Sequence, residues 1–235
     1  MDAILITGVG KRVGLYLAQQ FLDRDIPVIG TYRTERDSLN QLRDKGATLY
    51  QCDFNDNDQI AELISSIKNN HSSLRAIIHN ASDWLPDNAR LEPSTILQQM
   101  LQVHVQAPYQ INLGLADLLA ANKDAYTDII HIGDYVSSCG SKKHIAYAAS
   151  KAAQDNLTLS FAAKLAPKTK VNSIAPALLL FNEHDDELYR VKTLQKSLMQ
   201  REAGLEEFMH SIDYLLNSQY VTGRILPLDG GRHLK

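Results

Sequence analysis

The sequence is poor in cysteine, in long apolar runs and in net charge, and each shortage excludes a class of protein. Cys52 and Cys139 lie far apart without CxxC spacing, which indicates reduced thiols rather than a disulfide framework. No run of about 18 apolar residues, the length of a membrane-spanning helix, occurs. The formal net charge is −3, which gives no reason to expect nucleic acid or an anionic membrane as a partner. With no basic and apolar leader at the start, we expect a cytoplasmic protein.

The size and the alternation of apolar segments indicate one α/β domain. The chain has 235 residues, 44% hydrophobic and 22% charged, enough for one substantial core over residues 1–235. Seven short apolar runs are predicted strands: 3–7, 27–32, 47–52, 74–79, 127–133, 170–175 and 223–228. Helical patterns separate them, including a long region over 94–122 that is interrupted near Pro108. This alternation predicts a doubly wound parallel sheet of the Rossmann-like type, with right-handed crossovers.

A glycine turn follows the first strand. Gly8, Gly10 and Gly14 lie between that strand and a helical segment. A strand, a glycine turn and a helix start together form a phosphate cradle, because the helix offers unpaired N–H groups and glycine lets a pyrophosphate approach the backbone. An ordinary tight turn remains the alternative, since the spacing is not GxGxxG.

The end of the second strand predicts the cofactor. The strand ends in Tyr32 and Arg33, and Arg12 from the glycine turn is a second cation within reach. Arginine suits a 2′-phosphate and a carboxylate suits a free ribose, so NADPH is favoured. Glu35 is the competing carboxylate, and we place it past the strand in the first turn of the next helix.

Polar or small residues follow the other strands, at the edge where open α/β sheets bind ligands. Asp53 is a candidate adenine contact or a helix-capping loop residue. Asn80, Ala81 and Ser82 are small enough to let the chain pass beneath a cofactor. Asp134 follows the fifth strand, where a loop-capping role is the alternative to a catalytic one.

Tyr147 and Lys151 are the candidate catalytic pair. They are four residues apart, so on a helix they share a face, and the ammonium would favour the phenolate and allow proton transfer near neutral pH. A chance pairing on an ordinary helix is the alternative, and the convergence of the strand ends favours catalysis. The irregular stretch 177–202 is a candidate substrate lid, and its acidic residues indicate a solvated helix start rather than a metal site.

Several ordered motifs resemble the short-chain dehydrogenase/reductase superfamily over nearly the whole chain. The motifs are Thr7-Gly8 with Gly14, Asn80-Ala81, Tyr147 with Lys151, Val171-Asn172 with Pro176, and Asp229-Gly230-Gly231. The resemblance implies NAD(P)-dependent hydride transfer. It also implies a cofactor site formed by Gly8, Lys11, Arg12, Val13, Gly14, Tyr32, Arg33, Asp53, Phe54, Asn80, Ala81, Ser82, Tyr147, Lys151 and Pro176.

At two positions the chain departs from the usual pattern, and there it resembles the pteridine reductases of that superfamily. Arg12 replaces a common glycine, and Asp134 stands where most members have serine. The resemblance implies an NADPH-dependent reductase of a dihydropterin C=N bond, with weak action on dihydrofolate, and a homotetramer. Alternatives are a reductase of another carbonyl or imine and a non-catalytic nucleotide sensor.

Two further departures concern the site itself. His104 falls where many relatives have the asparagine of a proton relay, and it is either part of the site or a packed helical histidine. Ala177 replaces a common glycine after Pro176, which is expected to alter the nicotinamide pocket slightly.

Overall fold

A seven-stranded parallel sheet forms the centre of the molecule. The computed structural model describes residues 2–235. The strands are β1 (Ala3–Ile6), β2 (Val28–Tyr32), β3 (Thr48–Gln51), β4 (Leu74–His79), β5 (Thr127–Ile132), β6 (Thr169–Pro176) and β7 (Arg224–Leu228). Their order is β3-β2-β1-β4-β5-β6-β7, and every neighbouring pair is parallel. The predicted Rossmann-like fold class is confirmed.

Helices cover both faces of the sheet. They are α1 (Arg12–Leu22), α2 (Ser38–Asp44), α3 (Asn57–Asn70), α4 (Pro93–Leu101), α5 (Ala107–Gly114), α6 (Ala116–Ala121), α7 (Val136–Cys139), α8 (Ile145–Leu165), α9 (Glu187–Leu194) and α10 (Gly204–Asn217). A short 3₁₀ turn, Arg232–Leu234, ends the chain. None of the helices over residues 2–235 is long and apolar enough to cross a membrane.

Two hydrophobic cores follow from the alternation of side chains along the strands. In β1, Leu5 faces one core with α3, α5 and α8, while Ile4 and Ile6 face the other with α1, α2 and α10. Burying both faces requires continuous apolar strands, and all four residues of β1 are buried. This explains why the sequence of β1 is an unbroken hydrophobic run.

The strand order reverses at β1, which has β2 on one side and β4 on the other. Connections on the two sides of such a point leave in opposite directions, which opens a crevice at the carboxyl ends of the strands. The Gly8 turn leaves β1 there and Asn80 leaves β4. The fold therefore brings the two predicted ligand-binding segments together.

The interruption of the long helical region begins earlier than Pro108. Residues Gln102–Gln106 form a π-helical turn, in which the N–H of Ala107 bonds to the carbonyl of Gln102. Pro108 lies in the first turn of α5, where its missing N–H costs least. Because proline cannot continue the α-helical hydrogen bonds, the distortion falls on the preceding turn and includes His104.

Candidate active site

Tyr147 and Lys151 lie on the first turns of α8, which an acceptor from another segment holds in place. Asp87 accepts hydrogen bonds from the N–H groups of Ile145 (2.7 Å) and Ala146 (3.4 Å) and so satisfies the start of α8. His144, the residue at the cap position, makes no such bond with its side chain. Sequence spacing gave no sign of Asp87, because the bond joins segments that are remote along the chain.

Asp134 contacts the reactive phenol directly. The Tyr147 hydroxyl donates to Asp134 Oδ2 at 2.8 Å, while Asp134 Oδ1 accepts from the N–H of Val136 at 2.9 Å. One oxygen of Asp134 therefore caps the loop, and the other binds the phenol of the candidate catalytic tyrosine. A carboxylate at this position accepts hydrogen bonds, whereas a serine would also donate.

The expected lowering of the Tyr147 pKa is wrong for this geometry. Burial raises the pKa of Tyr147 well above its ordinary value, and the charge and hydrogen bond of Asp134 raise it further. The Lys151 ammonium lies 5.8 Å from the centre of the tyrosine ring, whereas the carboxylate touches the hydroxyl. Because the nearer charge is negative, Tyr147 remains protonated and able to donate.

Lys151 is buried and turned toward the sheet. Its Nζ donates to the carbonyl of Ile132 at 2.7 Å and to Gln154 Oε1 at 3.3 Å. Burial lowers the pKa of Lys151 to about 8, against the opposing charges of Asp134 and Asp155. The ammonium form of Lys151 therefore dominates at neutral pH, although its pKa lies only a little above that pH.

His104 lies beneath the site and is not only a packed helical residue. It is fully buried, its ring meets the Tyr147 ring edge to face at 5.4 Å, and its two nitrogens contact Ser82 and Ser150 at 2.8 Å each. Ser82 is exposed, and its bond to His104 places it beside the Tyr147 ring. Ser150 was missed in the sequence, since a serine inside a helix usually carries no signal.

The glycine turn is shaped by close backbone contacts. A Cβ on Gly14 would lie 2.2 Å from the carbonyl oxygen of Gly8 and 2.5 Å from Asn80 Nδ2. Asn80 donates to the carbonyls of Thr7 (2.9 Å) and Gly8 (3.1 Å), and Ala81 donates to Thr7 Oγ1 at 2.9 Å. Asn80 and Ala81 therefore hold the turn from the β4 side.

The same turn fits a dinucleotide phosphate. Lys11, which precedes α1, gives that helix no side-chain cap, so the N–H groups that open it, including those of Val13 and Gly14, remain available. A Cβ on Gly10 would meet no atom closer than 3.6 Å, so packing does not require glycine there. The backbone at Gly10 is therefore open to the close approach of a ligand.

Arg12 contacts the predicted lid. Its guanidinium donates to the carbonyl of Leu180 at 3.2 Å and to Asn182 Oδ1, and its φ is +51°, a value that favours glycine. The side chain therefore joins the glycine turn to residues 180–182.

Arg33 and Asp83 form a bidentate ion pair. Arg33 Nη1 lies 2.7 Å from Asp83 Oδ2, and Arg33 Nη2 lies 3.2 Å from Asp83 Oδ1. The competing carboxylate, Glu35, lies in the loop before α2, and the prediction that it lies in the first helical turn is wrong because α2 begins at Ser38. Glu35 bonds to Arg43 at 2.7 Å, and Tyr32 is buried beside that pair.

Arg36 was missed in the sequence. Its side chain lies against Gly10, at 3.6 Å from the position a Cβ would take, and within residues 2–235 it makes no ion pair. It is therefore a cation at this turn that could bind a phosphate without first breaking an ion pair.

The remaining predicted site residues are also at the strand ends. Asp53 Oδ1 accepts from the backbone N–H and the side chain of Asn55 at 3.0 Å each, while Asp56 caps α3. Phe54 is buried in the core, so only its backbone faces the loop. Pro176 ends β6, and its carbonyl accepts from the N–H of Tyr135 at 3.0 Å.

The acidic residues of 182–187 serve the local fold. Asp186 caps α9 through the N–H of Tyr189 at 2.7 Å, and Asp185 accepts from the N–H of Asn182 at 2.7 Å. Among residues 2–235, no cluster of three or more histidine, cysteine and acidic side chains has the arrangement of a metal site.

Comparison with known proteins extends over the whole chain. A family model described as enoyl-(acyl carrier protein) reductase matches residues 8–233. Dihydromonapterin reductase of Klebsiella pneumoniae is 53% identical over 232 residues, covering 99% of this chain and 97% of the relative. Dihydromonapterin reductase of Escherichia coli K12 is 51% identical with the same coverage.

Solved structures share the fold. FolM alternative dihydrofolate reductase 1 from Brucella canis, complexed with NADP, has a TM-score of 0.86 at 25% identity and covers 100% of this chain and 94% of its own. The Brucella suis protein in complex with NADP has the same score and identity, with 100% and 96% covered. The parallel sheet, the glycine turn, the tyrosine and lysine of α8 and these full-length matches lead to one conclusion: the chain belongs to the short-chain dehydrogenase/reductase family.

Proposed function

We propose that the chain catalyses NADPH-dependent reduction of 7,8-dihydromonapterin to tetrahydromonapterin, with weak reduction of dihydrofolate. The relatives that are 53% and 51% identical over nearly their whole length are dihydromonapterin reductases. The Brucella proteins carry the description alternative dihydrofolate reductase, which supports the side activity.

The observation that carries the proposal is the 2.8 Å bond from the Tyr147 hydroxyl to Asp134. Reduction of a carbonyl benefits from a second donor at its oxygen, which serine supplies and a carboxylate does not. A dihydropterin carries ring N–H and amino groups at other positions of its two rings, and a carboxylate can accept hydrogen bonds from them. Asp134 therefore favours the pterin.

Tyr147 supplies the proton. NADPH, when bound, supplies the hydride that goes to C6. Tyr147 gives its proton to N5, so that the C=N double bond becomes a C–N single bond with one new hydrogen on each atom. The raised pKa keeps the phenol protonated until the nitrogen becomes strongly basic, and Lys151 stabilises the phenolate that remains.

The residues of the glycine turn and of β2 support NADPH as the cofactor. The open start of α1 suits the pyrophosphate, and Arg12 and Arg36 at the glycine turn, with Arg33 after β2, are the arginines that could bind the 2′-phosphate. Arg33→Ala should raise the dissociation constant of NADPH much more than that of NADH. Arg43→Ala is the matched control, since Arg43 is bound to Glu35. Equal losses for the two cofactors would contradict the 2′-phosphate role.

Steady-state assays with dihydromonapterin, dihydrobiopterin, dihydrofolate and quinones test the substrate. We expect the highest kcat/KM for dihydromonapterin and a much lower value for dihydrofolate. Turnover of the quinones alone would favour the alternative of another carbonyl or imine reductase. Binding of NADPH without turnover of any of them would favour a nucleotide sensor.

Residues 177–202 are proposed as the substrate lid. Arg12 contacts Leu180 and Asn182, and Glu202 Oε1 accepts from the N–H of Phe181 at 2.6 Å. The two ends of the segment are thus bonded to each other, and its first part is joined to the cofactor turn. This arrangement suits a lid that closes over a cofactor and a flat ring.

A homotetramer is proposed as the assembled form. Apolar side chains are exposed on α4, α5 and α8: Leu97, Leu101, Tyr109, Leu113 and Leu159. Exposed apolar side chains on neighbouring helices are typical of subunit contacts. Free thiols and a proposed NADPH requirement support a cytoplasmic enzyme.

A further inference from the structure

The site cluster, which we define as Ser82, His104 and Ser150, forms a closed path of hydrogen bonds beside Tyr147. Ser82 Oγ lies 2.8 Å from His104 Nε2, and His104 Nδ1 lies 2.8 Å from Ser150 Oγ. Ser150 Oγ lies 2.7 Å from the backbone carbonyl oxygen of Tyr147. The path therefore starts next to the reactive phenol and ends on the backbone of the same residue.

The direction of each bond follows from the last one. A carbonyl oxygen only accepts, so the single Ser150 proton must lie between Ser150 Oγ and the Tyr147 carbonyl. Ser150 then has only lone pairs to offer His104, and His104 Nδ1 must carry a proton. Two lone pairs facing each other at 2.8 Å would repel, so no other arrangement fits.

His104 is neutral, which fixes the next bond. The ring is fully buried, the nearby Lys151 charge opposes a second proton, and the pKa of His104 is far below its ordinary value. With the proton on Nδ1, Nε2 has only a lone pair, and Ser82 must donate to it. The carbonyl of Asp83, at 3.3 Å, is the more distant acceptor for that proton.

We propose that His104 and Ser150 lock the Ser82 hydroxyl as a hydrogen-bond acceptor toward the active site and thereby make the site selective for a ring that carries N–H donors over a ketone or quinone that carries none. Asp134 accepts from the Tyr147 phenol at 2.8 Å, and Ser82 is bound to the His104 ring that packs against the Tyr147 ring, so the site offers two acceptors beside one donor. A dihydropterin brings N–H groups that these acceptors bind. A ketone or quinone oxygen brings only lone pairs, which both would repel.

The inference rests on the proposed function only for the identity of the favoured substrate. The protonation pattern concerns the protein alone, and His104 and Ser150 act as positioning residues, since neither is in direct contact with the reacting atoms. The two parts of the inference therefore have separate tests.

The first test reads the histidine tautomer directly. Nitrogen chemical shifts of ¹⁵N-histidine-labelled protein, assigned by loss of one ring signal in His104→Gln, distinguish a protonated from a bare ring nitrogen. We expect His104 to be neutral with the proton on Nδ1, near neutral pH, both alone and with NADP⁺. A proton on Nε2, or on both nitrogens, would overturn the lock even if the enzyme reduces pterins.

The second test measures selectivity. Ser82→Ala removes the acceptor, and His104→Gln allows an amide N–H to donate to Ser82 and release its proton toward the site. In both variants the ratio of kcat/KM for dihydromonapterin to kcat/KM for an ortho-quinone should fall about tenfold, the effect of one hydrogen bond. Ser82→Thr keeps the hydroxyl and should restore the ratio.

A merely structural role gives a different result. Equal losses for both substrates in Ser82→Ala and His104→Gln would leave the ratio unchanged and would refute the proposal. Thr158→Val, on the same helix but outside the site cluster, is the matched control and should leave the ratio as in the wild type. If the wild type reduces no dihydropterin, the proposed function fails. The tautomer experiment still shows whether His104 and Ser150 hold the Ser82 hydroxyl as an acceptor.

Discussion

Two buried histidine clusters in residues 2–235 follow the same hydrogen-bonding rule and end in different places. The site cluster ends at Ser82, which is exposed. The second, which we call the sheet cluster, consists of His79, Asn112, His131 and Thr158, and all of its members are buried. The two histidine rings of the sheet cluster stack at 5.1 Å.

The sheet cluster also begins at a hydroxyl of α8 that donates to a carbonyl. Thr158 donates to the Gln154 carbonyl at 3.2 Å, so His131 Nδ1 must donate to Thr158 at 2.8 Å. Asn112 then donates to His131 Nε2 at 3.3 Å and accepts from His79 Nε2 at 2.7 Å. His79 Nδ1 is left as a buried lone pair without a partner in the described structure.

The comparison shows that the same hydrogen-bond arrangement supports either folding or chemistry, depending on whether its last group is buried or faces the site. In both clusters a helical hydroxyl fixes a neutral tautomer, and the tautomer fixes the next bond. The sheet cluster ends inside the protein, where its bonds serve only to satisfy buried groups. The site cluster ends at a hydroxyl beside Tyr147, where the same polarity faces a substrate.

The largest expected effect is on kcat, and it distinguishes Tyr147, which lies beside the site cluster, from Thr158 of the sheet cluster. Tyr147→Phe removes the proton donor and should lower kcat for dihydromonapterin by about a thousandfold, within the range known for general acids. Thr158→Val should leave kcat per folded molecule unchanged, since it alters the sheet cluster alone. Near-normal NADPH oxidation by Tyr147→Phe would show that the proton comes from elsewhere.

The sheet cluster should show the opposite pattern, with a large effect on stability. Asn112→Leu leaves His79 Nε2 and His131 Nε2 without partners, and we expect the free energy of unfolding to fall by about 3 kcal/mol. Activity per folded molecule should be retained, as measured below the unfolding transition. Denaturant unfolding monitored by circular dichroism provides the measurement. A variant as stable as the wild type would mean that the cluster adds little to the fold.

The sequence predicted the fold better than it predicted these clusters. Strands such as β1 are fully buried, and their apolar runs, with the glycine turn after β1, led to the correct fold class. Strand ends and helical spacing also predicted Asp134, Tyr147 and Lys151 as candidate catalytic residues, and the structure brings the Asp134 carboxylate to the Tyr147 hydroxyl. The predicted decrease in the Tyr147 pKa was wrong, since the sequence places Lys151 one turn away but does not reveal that Asp134 lies nearer.

Long-range partners account for most of the remaining differences. Asp87 caps α8 from about sixty residues earlier in the chain, and Ser150 matters only because His104 lies beside it. The polarity of a hydrogen-bond path depends on every member, so no motif of two or three residues reveals it. The π-helical turn that carries His104 likewise follows from Pro108 acting on the preceding turn.

Acidification should weaken the fold through the sheet cluster. Burial lowers the pKa of His79 to about 4, so the folded protein binds fewer protons than the unfolded chain between pH about 6.5 and about 4. The stabilisation is complete above pH about 6.5 and is lost as the pH falls, at up to about 1.4 kcal/mol per pH unit for this histidine. His79→Gln keeps a donor for Asn112 and should flatten this dependence in denaturant unfolding from pH 4.5 to 7.5. An unchanged slope would mean that other groups govern the acid limb.

The smallest expected effect concerns Lys151. Burial lowers the pKa of both His104 and His131, and the Lys151 charge lowers both further, so Lys151 links the two clusters. The pKa of Lys151 is about 8, and the charge of Asp155 helps to keep it from falling further. Because a neutral amine cannot stabilise the tyrosinate, kcat should decline above pH about 8. Asp155→Asn keeps the acceptor for Ser173, which donates at 3.2 Å, but removes the charge, so the decline should begin at a lower pH, by less than about one unit. Asp117→Asn, at the surface pair with Lys68, is the control and should leave the pH profile of kcat in place. If the decline of kcat in Asp155→Asn keeps its position or moves to higher pH, Lys151 does not set the alkaline limit of the reaction. The Lys151 charge is then not what stabilises the tyrosinate.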